Sequence, residues 1–188
     1  MSSFLGHIAS GAAVYLAQKH RQQKSGWLLP VLILLAIFPD LDYLAFWFFD
    51  INFEPRFSHS LWVCLGISGI AWLATWRFRI PFTMFALASF SHLLLDFLVG
   101  VHPLPLLWPF SHHEIMSPFG LLPSAGRLNL GNYYFWRNLF IESGILLPIL
   151  NFWVLLSQNG SFRMLPKRAW MLLPITIICL FWSISLPR

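Results

Sequence analysis

Residues 80–101 read IPFTMFALASFSHLLLDFLVGV. The run meets the roughly 20 apolar residues that a bilayer-crossing helix requires, yet it carries His92 and Asp96 in its interior. A helix puts residues four apart on one face, about one turn from each other. An ionised carboxylate left in hydrocarbon costs several kcal/mol or more, so it normally faces a cavity, a partner or a metal. This stretch therefore predicts an apolar helix with a polar face turned inward.

The rest of the chain agrees. It has 188 residues, of which 57% are hydrophobic and only 10% charged, with a mean hydropathy of +0.67. A soluble domain needs far more surface charge, so the composition predicts an integral membrane protein. No linker, repeat or low-complexity tract divides it, and residues 1–188 read as a single helical domain. The net charge of +5 is spread over separate short loops, which argues against nucleic-acid binding. Cys64 and Cys179 lie in separate apolar segments and are expected as small core residues rather than a disulfide. The N-terminus is not expected to be a cleavable signal, because it lacks a basic start and its apolar stretch is broken by His7.

Apolar windows near 27–49, 61–76, 80–101, 135–157 and 169–186 predict an all-α bundle with about five spanning helices. The segment 3–18, rich in small residues (Gly6, Ala9, Ser10, Gly11, Ala12, Ala13), suits close helix packing and either spans or re-enters. Basic residues follow the first segment (Lys19, Arg21, Lys24), follow the third (Arg77, Arg79) and precede the last (Arg163, Lys167, Arg168). The positive-inside rule assigns these loops to the cytoplasm and the loops 50–60 and 102–134 to the outside. Arg127 and Arg137 run against that assignment. With 3–18 spanning, His7, Asp40, Asp42, His59, His92 and Asp96 all fall near the outer end, at one depth.

Each of these residues has a bland reading and a chemical one. His92 and Asp96 offer an imidazole nitrogen and a carboxylate oxygen, ordinary zinc ligands, or they form a hydrogen-bonded pair between helices. Asp40 and Asp42 are more than half a helical turn apart. Pro39 favours a break there, which lets both point inward, one on each of two ions, or lets one cap a new helix. His59 is a candidate ligand, and Ser58 or Ser60 can cap the 61–76 helix or hydrogen-bond a ligand. Ser58 as a nucleophile is possible, but metal-activated water makes it unnecessary. The Arg56 guanidinium suits a phosphate or carboxylate of a substrate, or lipid headgroups. His7 alone is uninformative and gains weight from its depth. Trp108-Pro109-Phe110-Ser111-His112-His113-Glu114 reads as a re-entrant or interfacial loop lining an entrance. Ser111, His112, His113 and Glu114 are there as reserve ligands or substrate contacts. Glu142 is a distal acid/base, or a partner of Arg137 or of another helix.

Taken in order, Gly6-His7-Ile8, Pro39-Asp40-Leu41-Asp42, Phe57-Ser58-His59-Ser60-Leu61, Ser91-His92 with Asp96, and Pro105-Leu106-Leu107-Trp108-Pro109 carry a likeness. The chain resembles the YdjM-like family of inner-membrane-associated metal-dependent hydrolases, also described as LexA-binding. The likeness covers roughly the first 110 residues. Family members often carry a His-Arg pair before a Phe-Thr-His-Ser stretch; this chain has Glu54-Pro55-Arg56, and Ser58 stands for the threonine. The resemblance implies a bacterial inner-membrane location. The ligand types and the His92–Asp96 spacing also resemble those of zinc-dependent phospholipase C and related zinc nucleases, an analogy that points to phosphoester chemistry.

These readings together predict a multi-pass membrane hydrolase with its site on the periplasmic side. One or two divalent ions, zinc as first choice, are expected among His7, Asp40, Asp42, His59, His92 and Asp96. Asp40 or Asp42 would act as general base and Arg56 would hold an anionic group. The expected substrate is a lipid or lipid-linked phosphoester. Rival readings are an ion or proton transporter built on the same residues, and a non-catalytic adaptor with a structural metal.

Overall fold

Ser3 starts the first helix: its Oγ accepts the Gly6 N–H at 3.0 Å, supplying one of the donors that a helix N-terminus leaves unpaired. In this computed structural model, residues 2–18, 25–51, 53–124, 130–162 and 165–186 are described. Lys19, Arg21, Lys24, Arg127 and Arg163, on which the charge reading partly rests, lie outside them. The helices are α1 (Phe4–Leu16), α2 (Leu28–Ile37), α3 (Asp42–Phe49), α4 (Leu61–Ala74), α5 (Phe82–Val99), α6 (Tyr133–Asn159), α7 (Lys167–Met171) and α8 (Leu173–Ser185). No β-strand occurs among the described residues.

The apolar run 27–49 is broken at Pro39, as expected. α2 passes into a 3-10 turn, Phe38–Leu41, and α3 begins at Asp42. Proline cannot donate to the preceding turn, so the chain leaves α geometry there. The last apolar window is likewise two pieces, α7 and α8, with Pro174 in the first turn of α8. Ser60 caps α4, its Oγ accepting the Trp62 N–H at 3.2 Å.

α5 is the hub, packed against α1, α2 and α4, while α6 rests on α1 and α8. Leu28, Leu32 and Leu35 recur at helical spacing on α2 and bury against Phe85 and Ala88 of α5 and Val14 of α1. A second core joins Leu95 and Val99 of α5 to Ile141 and Ile145 of α6 and Cys179 of α8. Cys64 and Cys179 are both free and buried. The outward faces expose large apolar side chains, among them Ile70 and Leu73 on α4, Phe140 and Leu147 on α6, and Ile178 and Phe181 on α8. Apolar surface this extensive suits lipid contact rather than water.

Two helices are long and apolar enough to cross a membrane, Phe82–Val99 with 18 residues and Tyr133–Asn159 with 27. At about 1.5 Å per residue they reach roughly 27 and 40 Å, against a hydrocarbon core of about 30 Å. The other apolar helices have 10–17 residues.

Candidate metal centre

α1 begins, α2 ends, α4 begins and α5 ends at the same end of the bundle. That arrangement gathers residues far apart in sequence. Asp40 sits in the 3-10 turn after α2, His59 in the 3-10 turn before α4, and His92 and Asp96 one turn apart on α5. All four are buried, and their ligand atoms lie within 4.8 Å of one another. The four residues can hold a metal ion.

The spacing is close to that of a coordination sphere. His59 Nε2 and His92 Nε2 are 3.3 Å apart. Asp40 Oδ1 is 3.5 Å from His59 Nε2 and 3.6 Å from His92 Nε2. Asp96 Oδ2 is 3.5 and 3.7 Å from the same two nitrogens. Four ligands about 2.0–2.1 Å from a tetrahedral zinc stand about 3.3–3.4 Å from each other.

Proton positions follow from the hydrogen-bond partners. His92 Nδ1 lies 2.8 Å from the Ala36 carbonyl, which only accepts, so Nδ1 carries the proton and Nε2 the lone pair. Ser58 Oγ donates its single proton to Asp42 Oδ2 at 3.0 Å and so accepts from His59 Nδ1, also at 3.0 Å. In the neutral ring, His59 Nε2 is thereby left as a lone pair too. Two lone pairs and two carboxylates then converge on one point. Asp40 Oδ1 is buried without a hydrogen-bond donor. Such a set is strongly unfavourable unless positive charge, a metal ion or a proton on His59, sits among its members, and the donor types suit a divalent ion.

The remaining predicted residues stand around this group. His7, fully buried, stacks on His92 with ring centroids 3.9 Å apart. Its Nε2 is 3.6 Å from Asp96 Oδ1 and 3.8 Å from Asp40 Oδ2. Neither His7 nitrogen has a hydrogen-bond partner. Asp42 lies outside the four-residue group because both its oxygens are engaged. Arg56 donates to them through Nε at 2.8 Å and Nη2 at 2.7 Å, and Ser58 adds a third bond. Arg56 also approaches Asp40 Oδ1, at 3.5 Å, and lies over the Tyr43 ring at 4.7 Å. Burial works against the guanidinium's charge, but the hydrogen bonds and charge of Asp42 outweigh it and the net shift is upward. Arg56 is a fixed cation.

A cavity of about 640 Å³ opens onto the group, lined by Arg56, His59 and Asp96 together with His102, His112 and Glu114. His112 and Glu114 thus border the mouth, whereas Ser111 and His113 do not line it; Ser111 Oγ accepts the His113 N–H at 3.1 Å. The loop is pinned by paired 2.9 Å hydrogen bonds between Leu104 and Ile115, and by Ser60 Oγ donating to the Trp108 carbonyl at 2.5 Å. His102 was not singled out by the sequence, because it lies beyond the apolar run in no motif. Burial, aided by the charge of Arg56, lowers its pKa.

Ser2 and Ser3 were missed by the sequence, and Glu142, read there as a distal acid/base or a partner of Arg137 or of another helix, meets these two serines instead of Arg137. The Ser2 N–H donates to Asp96 Oδ1 at 2.8 Å. Glu142 is bonded to Ser2 and Ser3, while Arg137 turns to Asn138. Paired serines at a helix start carry no signal of this kind in one dimension. A family model described as YdjM inner membrane protein matches residues 1–186. Neither curated proteins nor solved structures give a match.

Proposed function

The chain belongs to the YdjM inner membrane protein family, and on that premise we propose that it is a membrane-embedded metal-dependent hydrolase acting on a lipid or lipid-linked phosphoester. One observation carries the reading: four buried ligand atoms stand at coordination-sphere spacing, and two of their residues, His59 and Asp96, line a cavity that also presents a fixed arginine. Asp40, His59, His92 and Asp96 hold the ion, and their mixed nitrogen and oxygen donors make zinc the first choice. A bound zinc would supply Lewis acidity and lower the pKa of a water admitted as a further ligand to about 7. Asp40 Oδ2, turned toward His7, serves as general base. Asp42 and Ser58 orient His59, and Asp42 aims Arg56 at the anionic group of the substrate.

An amphiphilic substrate fits the shape of the opening. A recess of about 240 Å³, lined by Asp42, Tyr43, Phe46, Ile51, Phe53 and Arg56, adjoins the main cavity and shares Tyr43, Phe53 and Arg56 with it. Phe46, Phe48, Phe49 and Ile51 beside it are exposed. A headgroup at Arg56 and an acyl chain along this recess would let substrate arrive laterally from the bilayer. The corresponding topology has about five spans and a spanning α1, with the site at the periplasmic headgroup level.

A structural metal is the second reading, favoured by four protein ligands filling a tetrahedron. Transport is the weaker rival, because α1, α2 and α4 carry no charged residue beyond His7 and α5 carries none before His92. The test is release of water-soluble phosphate or headgroup from phosphatidylglycerol vesicles containing the zinc-loaded protein. The hydrolase reading predicts release that a chelator abolishes, that zinc restores, and that Arg56→Ala lowers at least about 10-fold, the low end for a lost charge-assisted contact. Release no greater than that from a His92→Ala/Asp96→Ala variant, across a panel of lipid phosphoesters, would favour the structural metal.

A further inference from the structure

Glu142 belongs to α6, which contributes no ligand to the metal group, and yet it is only 1% exposed. A carboxylate buried that deeply costs several kcal/mol unless it is hydrogen-bonded. Its hydrogen-bond partners among the described residues come from the chain just ahead of α1. The Ser2 hydroxyl donates to Oε1, and the Ser3 N–H donates to Oε1 at 3.0 Å and to Oε2 at 3.2 Å. The next bond leads into the site: the Ser2 N–H donates to Asp96 Oδ1 at 2.8 Å. Asp96 therefore has one oxygen tied back to the Ser2 backbone and the other turned toward His59 and His92.

The geometry around Gly6 shows how closely this connection is built. A Cβ there would stand 2.6 Å from Glu142 Oε1 and 2.9 Å from Ser2 Oγ. Any larger side chain at that position would push the glutamate and the serine segment apart. A Cβ at Gly6 would be accommodated only by shifting the Glu142 carboxylate or the Ser2 hydroxyl, the two ends of this contact.

We propose that Glu142 is a positioning residue of the metal centre: it anchors the Ser2-Ser3 segment, and through the Ser2 N–H fixes the rotation of the ligand Asp96. The inference rests on the reading that Asp40, His59, His92 and Asp96 hold a metal. It adds that metal affinity is set partly from α6, which contributes no donor atom. Partners that orient metal ligands in this way are typically worth about 10–100-fold in affinity.

Cobalt(II) alone is a suitable probe, since its absorption reports coordination geometry while a competing chelator gives the affinity. The full-length protein in detergent is compared with Glu142→Leu, Ser2→Pro, which deletes the N–H directed at Asp96, and the double variant. Each single change is expected to weaken Co²⁺ binding about 10–100-fold and to shift the absorption bands. The double variant should be no weaker than the weaker-binding single, because both changes cut one connection. Glu142→Gln, whose carbonyl still accepts from Ser2 and Ser3, should recover most of the affinity. If Glu142→Leu is not monodisperse, Glu142→Ala with Ser2→Pro provides the same cycle. Wild-type affinity and spectrum in both single variants, or losses that simply add in the double, overturn the proposal. A wild-type protein that binds no Co²⁺ overturns the metal reading itself, and this inference with it.

Discussion

At the scale of single residues, the two aspartates after Pro39 separate most sharply. Asp40 directs at two imidazoles an oxygen that accepts no hydrogen bond, while Asp42 is saturated by Arg56 and Ser58. Asp40→Ala is expected to lower zinc affinity by more than about 100-fold, and Asp42→Ala by about 10–100-fold, the range for a group that orients a ligand. Competition titration against a zinc chelator measures both; equal losses would put Asp42 among the ligands. The sequence held both aspartates as candidates without distinguishing them, because two residues in a broken helix have no defined relative direction. His92 and Asp96 were legible as a pair, since a regular helix dictates that relation. The role of Ser58 was half legible: its place beside His59 suggested a hydrogen bond to a ligand, but not which aspartate would receive its proton.

At the scale of elements, small residues decide how closely α1 approaches α2. A Cβ on Gly11 would stand 2.8 Å from the Leu32 carbonyl oxygen and 2.9 Å from Ile33 Cα. These are backbone atoms and cannot rotate aside. Gly11→Val is therefore expected to cost about 1–3 kcal/mol by overpacking, visible as a lower unfolding temperature in detergent. Gly66→Val on α4, where a Cβ meets nothing within 4 Å, is the control and should leave that temperature nearly unchanged. The small-residue run in 3–18 announced close packing, but not its partners, α2, α5 and α6, which depend on the tertiary arrangement. Helix positions were read well where apolar runs are long. The breaks that split 27–49 and 169–186 have proline as their local cause, which was anticipated for Pro39 and overlooked for Pro174.

For the whole molecule, the site lies at one end of the bundle, and the proposed topology puts that end at the outer face of the inner membrane. A membrane-impermeant thiol reagent applied to intact spheroplasts should label His113→Cys in the exposed loop, and should reach Arg77→Cys only after permeabilisation. Cys64 and Cys179 are buried and contribute little background. The reverse pattern would invert the orientation and move the substrate to the cytoplasmic leaflet. Charge patterning proposed this orientation from the sequence, and helix order alone carries the gathering of His7, Asp40, His59, His92 and Asp96 at one end. The connection from α6 through Glu142 was not legible, because it joins residues 140 and 139 positions apart through backbone donors.

The measurement that bears most directly on this account is the metal content of protein purified in detergent without chelators. It is made beside the His92→Ala/Asp96→Ala variant. About one equivalent of zinc or another transition metal per chain is predicted, as expected for one four-ligand set, with nearly all of it lost in the variant. A wild-type protein that carries no metal, and takes none up when zinc is added back, would contradict the metal centre and leave the buried Asp/His group as helix packing or proton transfer.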